Sequence, residues 1–480
     1  MSLAISTVKN SNATHPACAR EGMSWLEKLI FAVGVFEIPL QLDKYFMFHE
    51  ADADQGAVAG FNVSVTTLAI GALYGLWILR STDYRRRCNP RLIVGVPMLL
   101  YLSSVGLSSL TATLPMLSYF DLFLLLQAYL LFYYVANRVE TREDIMLCLG
   151  TLAAALLFQS FLIFGLKLMR VDNTFIEIGP LVLTVWEGER HGGSMQSPVL
   201  AGSTMALLWL PVATAVLGRW GQLEFGRLFW LLFLGTTVFG MIGILLTQTR
   251  GAILTSVVGS SLIGFGLLGR SWLPKWTVAV AILMGLLSLY PLWLIYEKRI
   301  KEGDGDSASA RKHLSLIALE AIQDRPIFGH GAGNCHLAAK RYADQGKWRS
   351  EWYYTIHSKY LLVWLETGVI GLLTFLLVLF NGLRMGVQVW FAKDRLLSPL
   401  GLALAAALAG HSLHMAVDVF NSRTQVQTLW LILGLAAATY RVAVLAASPS
   451  RTTAVGTRLG RRRPLSSQGL PLHSGQGELA

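Results

Sequence analysis

The fold class predicted by this sequence is an all-α protein that crosses a membrane many times. Three observations predict it. Of 480 residues, 54% are hydrophobic and only 14% charged, against about 25% charged in soluble domains, and mean hydropathy is +0.51. Apolar runs recur, each long enough to cross a hydrocarbon layer of about 30 Å as a helix, which satisfies its own backbone hydrogen bonds there. The short loops between them alternate in Lys and Arg content, the pattern that orients a polytopic chain.

Taken in order, residues 1–24 (MSLAISTVKNSNATHPACAREGMS) lack an apolar leader core, so a cytoplasmic tail and an uncleaved first anchor are expected. Apolar runs then fall near residues 25–41, 61–79, 92–110, 115–136, 145–166, 196–217, 228–247, 251–268 and 273–296, and again near 359–381, 398–417 and 425–446. They predict about twelve helices, nine over 25–296 and three over 359–446, with no internal repeat and no heptad pattern. Residues 447–480, rich in Ser, Gly, Arg and Pro, predict a disordered basic tail.

Orientation follows from the loops. RSTDYRRRCNPR (80–91) holds five arginines, and alternate loops add Arg138 and Arg142, Arg219 and Arg227, Arg270 and Lys275, then Arg384, Lys393 and Arg395. The loop 42–60 instead carries Asp43, Glu50, Asp52 and Asp54 against one lysine. Both termini are therefore expected inside. Two outward loops are long, 167–195 and 297–358. The second is the one stretch able to form a small extramembrane module, with ARKHLSLIALEAIQDRP at helical spacing followed by the Gly-rich GHGAGN.

The net charge of +11 does not indicate nucleic acid, because the basic residues lie between apolar runs and in the tail. Cys18, Cys88, Cys148 and Cys335 are far apart and form no C-x-x-C pair, which argues against a disulfide framework or a zinc site. GHGAGN matches neither GxxxxGK[ST] nor GxGxxG, so nucleotide binding has little support.

The informative cations are those that topology did not require: Lys167, Arg170, Arg190, Arg250 and Arg423, all on or near the outward side. Arg190 sits in EGERHGGSMQSP before a span, and Arg250 follows TQT between two spans. An arginine pair at helix ends suits a diphosphate, whose oxygens accept a bidentate guanidinium fork. Each alone also fits snorkelling, or an ion pair with Glu187 or Glu189. His357 stands where the long loop meets the next span and can take a proton from a hydroxyl near neutral pH. Alone it also fits a polar helix start. Glu366, nine residues further on, reads equally as a functional carboxylate or as a partner for a buried donor. His411, His414 and Asp418 share one helical face, which predicts a polar, inward-turned lining that could bind substrate and in principle a metal.

In order and setting these stretches resemble the O-antigen ligase and polymerase superfamily. RKHLSLIALEAIQDRPIFGHGAGN and IHSKYLLVWLETGVIGLLTFL resemble its loop-plus-helix block, while TQTRGAIL and ERHGGSMQSPVLAG resemble its two arginine elements. The likeness spans about residues 185–420, and His357-Ser358 departs from the more usual His-Asn. The resemblance implies a polytopic glycosyltransferase of the third structural class (GT-C-like) in the bacterial inner membrane. Its donor would be an undecaprenyl diphosphate-linked glycan, used on the periplasmic side without metal or other cofactor. Arg190 and Arg250 would hold the diphosphate and His357 would orient or deprotonate the acceptor hydroxyl. Arg311 would add a phosphate or glycan contact, and Glu366, His411 and Asp418 are further substrate-binding candidates. Ligase and polymerase differ in acceptor, lipid A–core or a second lipid-linked oligosaccharide, and a third class glycosylates protein. The rival class, a transporter or lipid flippase, would show pseudo-symmetric halves with paired broken helices.

Overall fold

The computed structural model describes residues 22–53, 57–81, 95–186, 188–218, 226–268, 297, 307–343 and 355–445. The span expected over 273–296 and the tail over 447–480 lie outside the described residues. The chain begins with α1 (Trp25–Glu37), which Ser24 and Glu27 start as a reciprocal capping box. Pro39, in the turn Ile38–Leu40, stops it. A hairpin follows, β1 (Asp43–Phe46) with β2 (Phe61–Ser64), holding the short α2 (Glu50–Ala53) in its connection. Then come α3 (Val65–Ser81), α4 (Val96–Ser108), α5 (Pro115–Arg138) and α6 (Arg142–Leu168). A second antiparallel sheet, β3 (Thr174–Ile178), β4 (Leu181–Trp186) and β5 (Arg190–Gly193), leads into α7 (Pro198–Gly218), α8 (Arg227–Leu246) and α9 (Arg250–Leu267).

After the stretch not described come α10 (Ser307–Asp324), α11 (Cys335–Ala343), α12 (Lys359–Trp390), α13 (Leu397–His414) and α14 (Arg423–Tyr440). Among the described residues, seven helices are long and apolar enough to cross a membrane: α5, α6, α7, α8, α9, α12 and α14. The runs expected near 61–79 and 92–110 contain the shorter apolar helices Val65–Arg80 and Val96–Thr111. The chain is thus a mostly helical membrane protein. The two small sheets are an addition to the expected all-helical fold: β1 lies in the loop 42–60, β3, β4 and β5 lie in the loop 167–195, and β2 takes the first residues of the run expected to span over 61–79. TFIEIGPLVLTVW folds as a hairpin because its β-branched and aromatic residues flank Gly179, which turns at φ 59°.

Helix α7 is central, with 89% of its apolar window buried, whereas α8 has 33% and is peripheral. Basic residues gather at one end of the bundle. There Glu27 takes Arg80 at 2.5 Å and Arg138 at 3.1 Å, joining the start of α1 to the ends of α3 and α5. Arg142 pairs with Asp394, and Arg441 donates to the carbonyls of Asn137 and Val139 at 2.9 and 3.0 Å. The sheets, α10, α11 and the α8–α9 turn lie at the opposite end.

Helix α12 is broken at Gly368, whose φ 69° and ψ −174° leave the helical region. The Gly-rich turn of the long loop splices the break. His330 N donates to Leu365 O and Gly331 N to Glu366 O, each at 2.9 Å, while Val369 N donates to Pro326 O at 2.8 Å. Three backbone groups beside the break are satisfied in this way. A Cβ at position 368 would stand 1.9 Å from Ile327 O, so only glycine allows the approach. The Glu366 carboxylate accepts from the backbone amides of Gly333 and Cys335, at the start of α11. Ile317, Ala321, Cys335 and Ala338 bury themselves against Leu362 and Leu365, so α10 and α11 share a core with the first part of α12.

Candidate functional site

At the end opposite the basic one lies a cavity of about 1010 Å³. Arg190, Arg250, Arg311, His357 and Asp418 all line it, together with His414 and Arg423. Glu366 and His411 do not line it. Glu366 is tied into the splice just described, and His411 is buried with its ring against Phe420 at 4.6 Å.

Arg190 opens β5 opposite Trp186 on β4, and its guanidinium lies 5.6 Å from the Trp186 ring centre. Arg250 is the first residue of α9, held there by a tight turn. Gln248 is left-handed at φ 51°, and its Nε2 donates to Gly188 O at 3.1 Å. Thr249 Oγ1 donates to Pro198 O at 2.9 Å. These bonds tie the start of α9 to the β4–β5 turn and to the start of α7, so Arg190 and Arg250 are set by one framework. A Cβ at Gly251 would lie 2.1 Å from His414 Nε2, so the glycine after Arg250 lets α9 pack on the end of α13.

His357 stands immediately before α12. Backbone bonds from Lys359 N to Met415 O (2.8 Å) and Asp418 O (3.0 Å) fix this junction to the segment that follows α13. Burial holds the His357 imidazole below its usual range, Arg311 acts in the same direction and Asp418 opposes them. The ring is therefore neutral, and able to accept a proton, around neutral pH. Asp418 is half-buried, and that desolvation by itself would raise its carboxyl. The neighbouring His414 and the Val419 amide, which donates to Asp418 Oδ1 at 2.8 Å, outweigh that and hold it below the usual carboxylate range. His414 Nε2 stands 3.6 Å from Asp418 Oδ2.

Arg423, 2% exposed, starts α14 and ties three segments together. It reaches Glu37 of α1 at 2.8 Å and Asp43 of β1 at 2.5 Å. Thr66 of α3 bonds the same Glu37 at 2.5 Å. Burial raises the Asp43 carboxyl and Glu37 adds to this, while Arg423 opposes it. Beside it, burial and the Asp43 charge push Tyr45 up to about 12, so its hydroxyl stays a donor. Sequence reasoning marked Arg423 as an outward cation but gave it no partner, because Glu37 lies 386 residues away. It also left out Trp186, Tyr45 and Phe48, which line the cavity from loops in which no strand was expected.

The fold and this cavity define a class: a polytopic helical membrane protein with a cationic cavity at one end of its bundle. Residues 235–376 match the family model described as O-antigen ligase, which supports the likeness to the O-antigen ligase and polymerase family. The match runs from α8 through Arg250, Arg311 and His357 into α12 beyond its break, while Arg190, Asp418 and Arg423 lie outside it. No curated protein matches the chain.

Proposed function

We propose that the protein is a glycosyltransferase of the O-antigen ligase type. It transfers a glycan from undecaprenyl diphosphate to an acceptor hydroxyl at the periplasmic face of the bacterial inner membrane, without a metal. The observation that carries this reading is convergence: Arg190, Arg250, Arg311 and His357, from four separate segments, line one cavity. The leaving group is a dianionic lipid diphosphate, and preorganised guanidinium groups at Arg190 and Arg250 neutralise the charge that develops on it.

In the transfer step the acceptor oxygen attacks the anomeric carbon, and the bond from that carbon to the diphosphate oxygen breaks. Undecaprenyl diphosphate leaves, and the hydroxyl proton passes to neutral His357. The Asp418 carboxylate favours the charged ring and so stabilises the imidazolium that forms, and Arg311 gives a further contact to phosphate or glycan. The family match supports ligase and polymerase chemistry alike, and the two differ only in acceptor.

The deciding experiment offers purified protein an undecaprenyl diphosphate-linked glycan with lipid A–core and a second lipid-linked repeat as competing acceptors. Transfer to lipid A–core is expected, at a rate unchanged by a chelator. Exclusive use of the lipid-linked repeat would make the protein a polymerase. Loss of activity in chelator would refute the metal-free mechanism.

A further inference from the structure

The cavity wall is chemically divided. Its cations come from β5, α9, α10 and α14, whereas another part of the lining belongs to the β1–β2 hairpin and is uncharged and aromatic. Tyr45 and Phe48 line the cavity with ring centres 5.6 Å apart at an interplanar angle of 54°. Phe48 is 52% exposed. Trp186 supplies another ring, with one side near the Arg190 guanidinium. The same lining also contains primary amides, among them Gln41, Gln196 and Asn421.

This combination distinguishes between ligand chemistries. A lipid tail needs an apolar wall without amides. A phosphate needs cations, which the lining supplies elsewhere. A pyranose ring presents C–H groups on its faces and hydroxyls around its rim. It therefore fits aromatic faces edged by groups that both donate and accept hydrogen bonds.

The wall is also held in place. Asp43 and Tyr45 pair in register with Ser64 and Asn62 on β2, and Asp43 is bound by Arg423. Beyond Phe48, Asp52 Oδ1 accepts from His336 Nε2 of α11 at 2.8 Å, and His49 lies 3.4 Å from the same carboxylate. Gln41 Oε1 accepts from Gln196 N at 3.4 Å, which joins the hairpin to the segment before α7. Aromatic faces fixed in this way stack a ring without first having to be ordered.

We propose that Tyr45, Phe48 and Trp186, with the amides of Gln41, Gln196 and Asn421 in the same lining, form a subsite that stacks pyranose rings of the glycan, with Trp186 bordering the cationic part that holds the diphosphate. The proposal rests on the transferase reading given above, and the ring can come from donor or acceptor.

The test uses full-length protein in lipid nanodiscs with three probes: glycan-free undecaprenyl diphosphate, the same lipid carrying its glycan, and lipid A–core. Phe48→Ala is the main variant, since Phe48 is half exposed, and Phe48→Trp is the restoring one. If the donor ring stacks there, Phe48→Ala binds glycan-free lipid as the wild type does but binds glycan-bearing lipid about five- to tenfold more weakly. If the acceptor ring stacks there, donor binding is unchanged and KM for lipid A–core rises by a similar factor with kcat kept. In either case Phe48→Trp restores the wild-type value. Unchanged donor binding together with an unchanged acceptor KM in Phe48→Ala and Trp186→Ala overturns the subsite. Failure of the transferase reading looks different: the wild type then does not bind glycan-free lipid diphosphate, and Arg250→Ala changes nothing.

Discussion

The two ends of the bundle use the same residue type for different purposes. At the basic end, arginines are matched with carboxylates: Arg80 and Arg138 share the buried Glu27, and Arg142 takes Asp394. At the opposite end, four arginines line a cavity whose lining contains a single carboxylate, Asp418, among the described residues. One of the four, Arg423, is balanced from behind by Glu37 and Asp43. Arginine at the basic end joins helix ends, while at the cavity end it lines a space that can hold an anionic ligand.

Substitutions should separate the two ends. The largest effect is expected for His357→Ala, which removes the proton acceptor and should lower kcat by roughly 10²–10⁴-fold with normal expression. A rate within a few-fold of wild type would remove His357 from the mechanism. Next comes Arg250→Lys, which keeps the charge but loses the bidentate fork. A fall in transfer of on the order of 10²-fold is expected. Arg80→Lys at the basic end should leave transfer within about twofold, because lysine keeps a cation beside Glu27 and the site lies at the end of the bundle away from the cavity. Equal losses at both ends would mean that the arginines act through folding alone.

Arg423→Met tests the fourth cation. It leaves Glu37 and Asp43 buried and uncompensated, and breaking such a pair costs about 3–5 kcal/mol. Thermal unfolding in detergent should show a large drop in midpoint and a poor folded yield. A stable Arg423→Met protein that has lost only transfer would move Arg423 from the framework to the substrate site.

The membrane helices and the motif blocks were legible because they are local. Runs such as 115–136 and 145–166 fall within α5 and α6, and α10 ends at Asp324, before Pro326. Arg190, Arg250, His357 and Asp418 could be named because each sits at or beside a polar interruption of an apolar pattern, and Arg311 could be named through the resemblance; the five line one cavity. What could not be read depends on distance or on mixed patterns. The Glu37–Asp43–Arg423 cluster joins positions at the two ends of the chain, and nothing local marks Glu37 as anything but a flaw in the first span. The splice of GHGAGN into the break at Gly368 needs two segments nearly forty residues apart to meet backbone to backbone. The sheets were missed because DKYF and FNVS are too short to show alternation, and TFIEIGPLVLTVW fell inside a loop where no element was sought.

The smallest effect concerns pH, and it tests the electrostatic balance at His357 rather than its presence. As a general base His357 must be neutral, so kcat/KM rises with pH through its pKa and levels off above it. Because burial places that pKa below the usual histidine range, the plateau should be reached before neutrality. Asp418 favours the charged ring, so Asp418→Asn removes an upward influence and should move the acid limb to lower pH. Arg311 disfavours the charged ring, so Arg311→Ala should move the limb to higher pH. Both variants can also lower the height of the profile, through lost orientation or lost substrate contact, and only the opposite displacements along the pH axis are diagnostic. If both limbs moved the same way, or neither moved, the titrating group would not be His357, and the positive potential of the cavity would be acting on a different base.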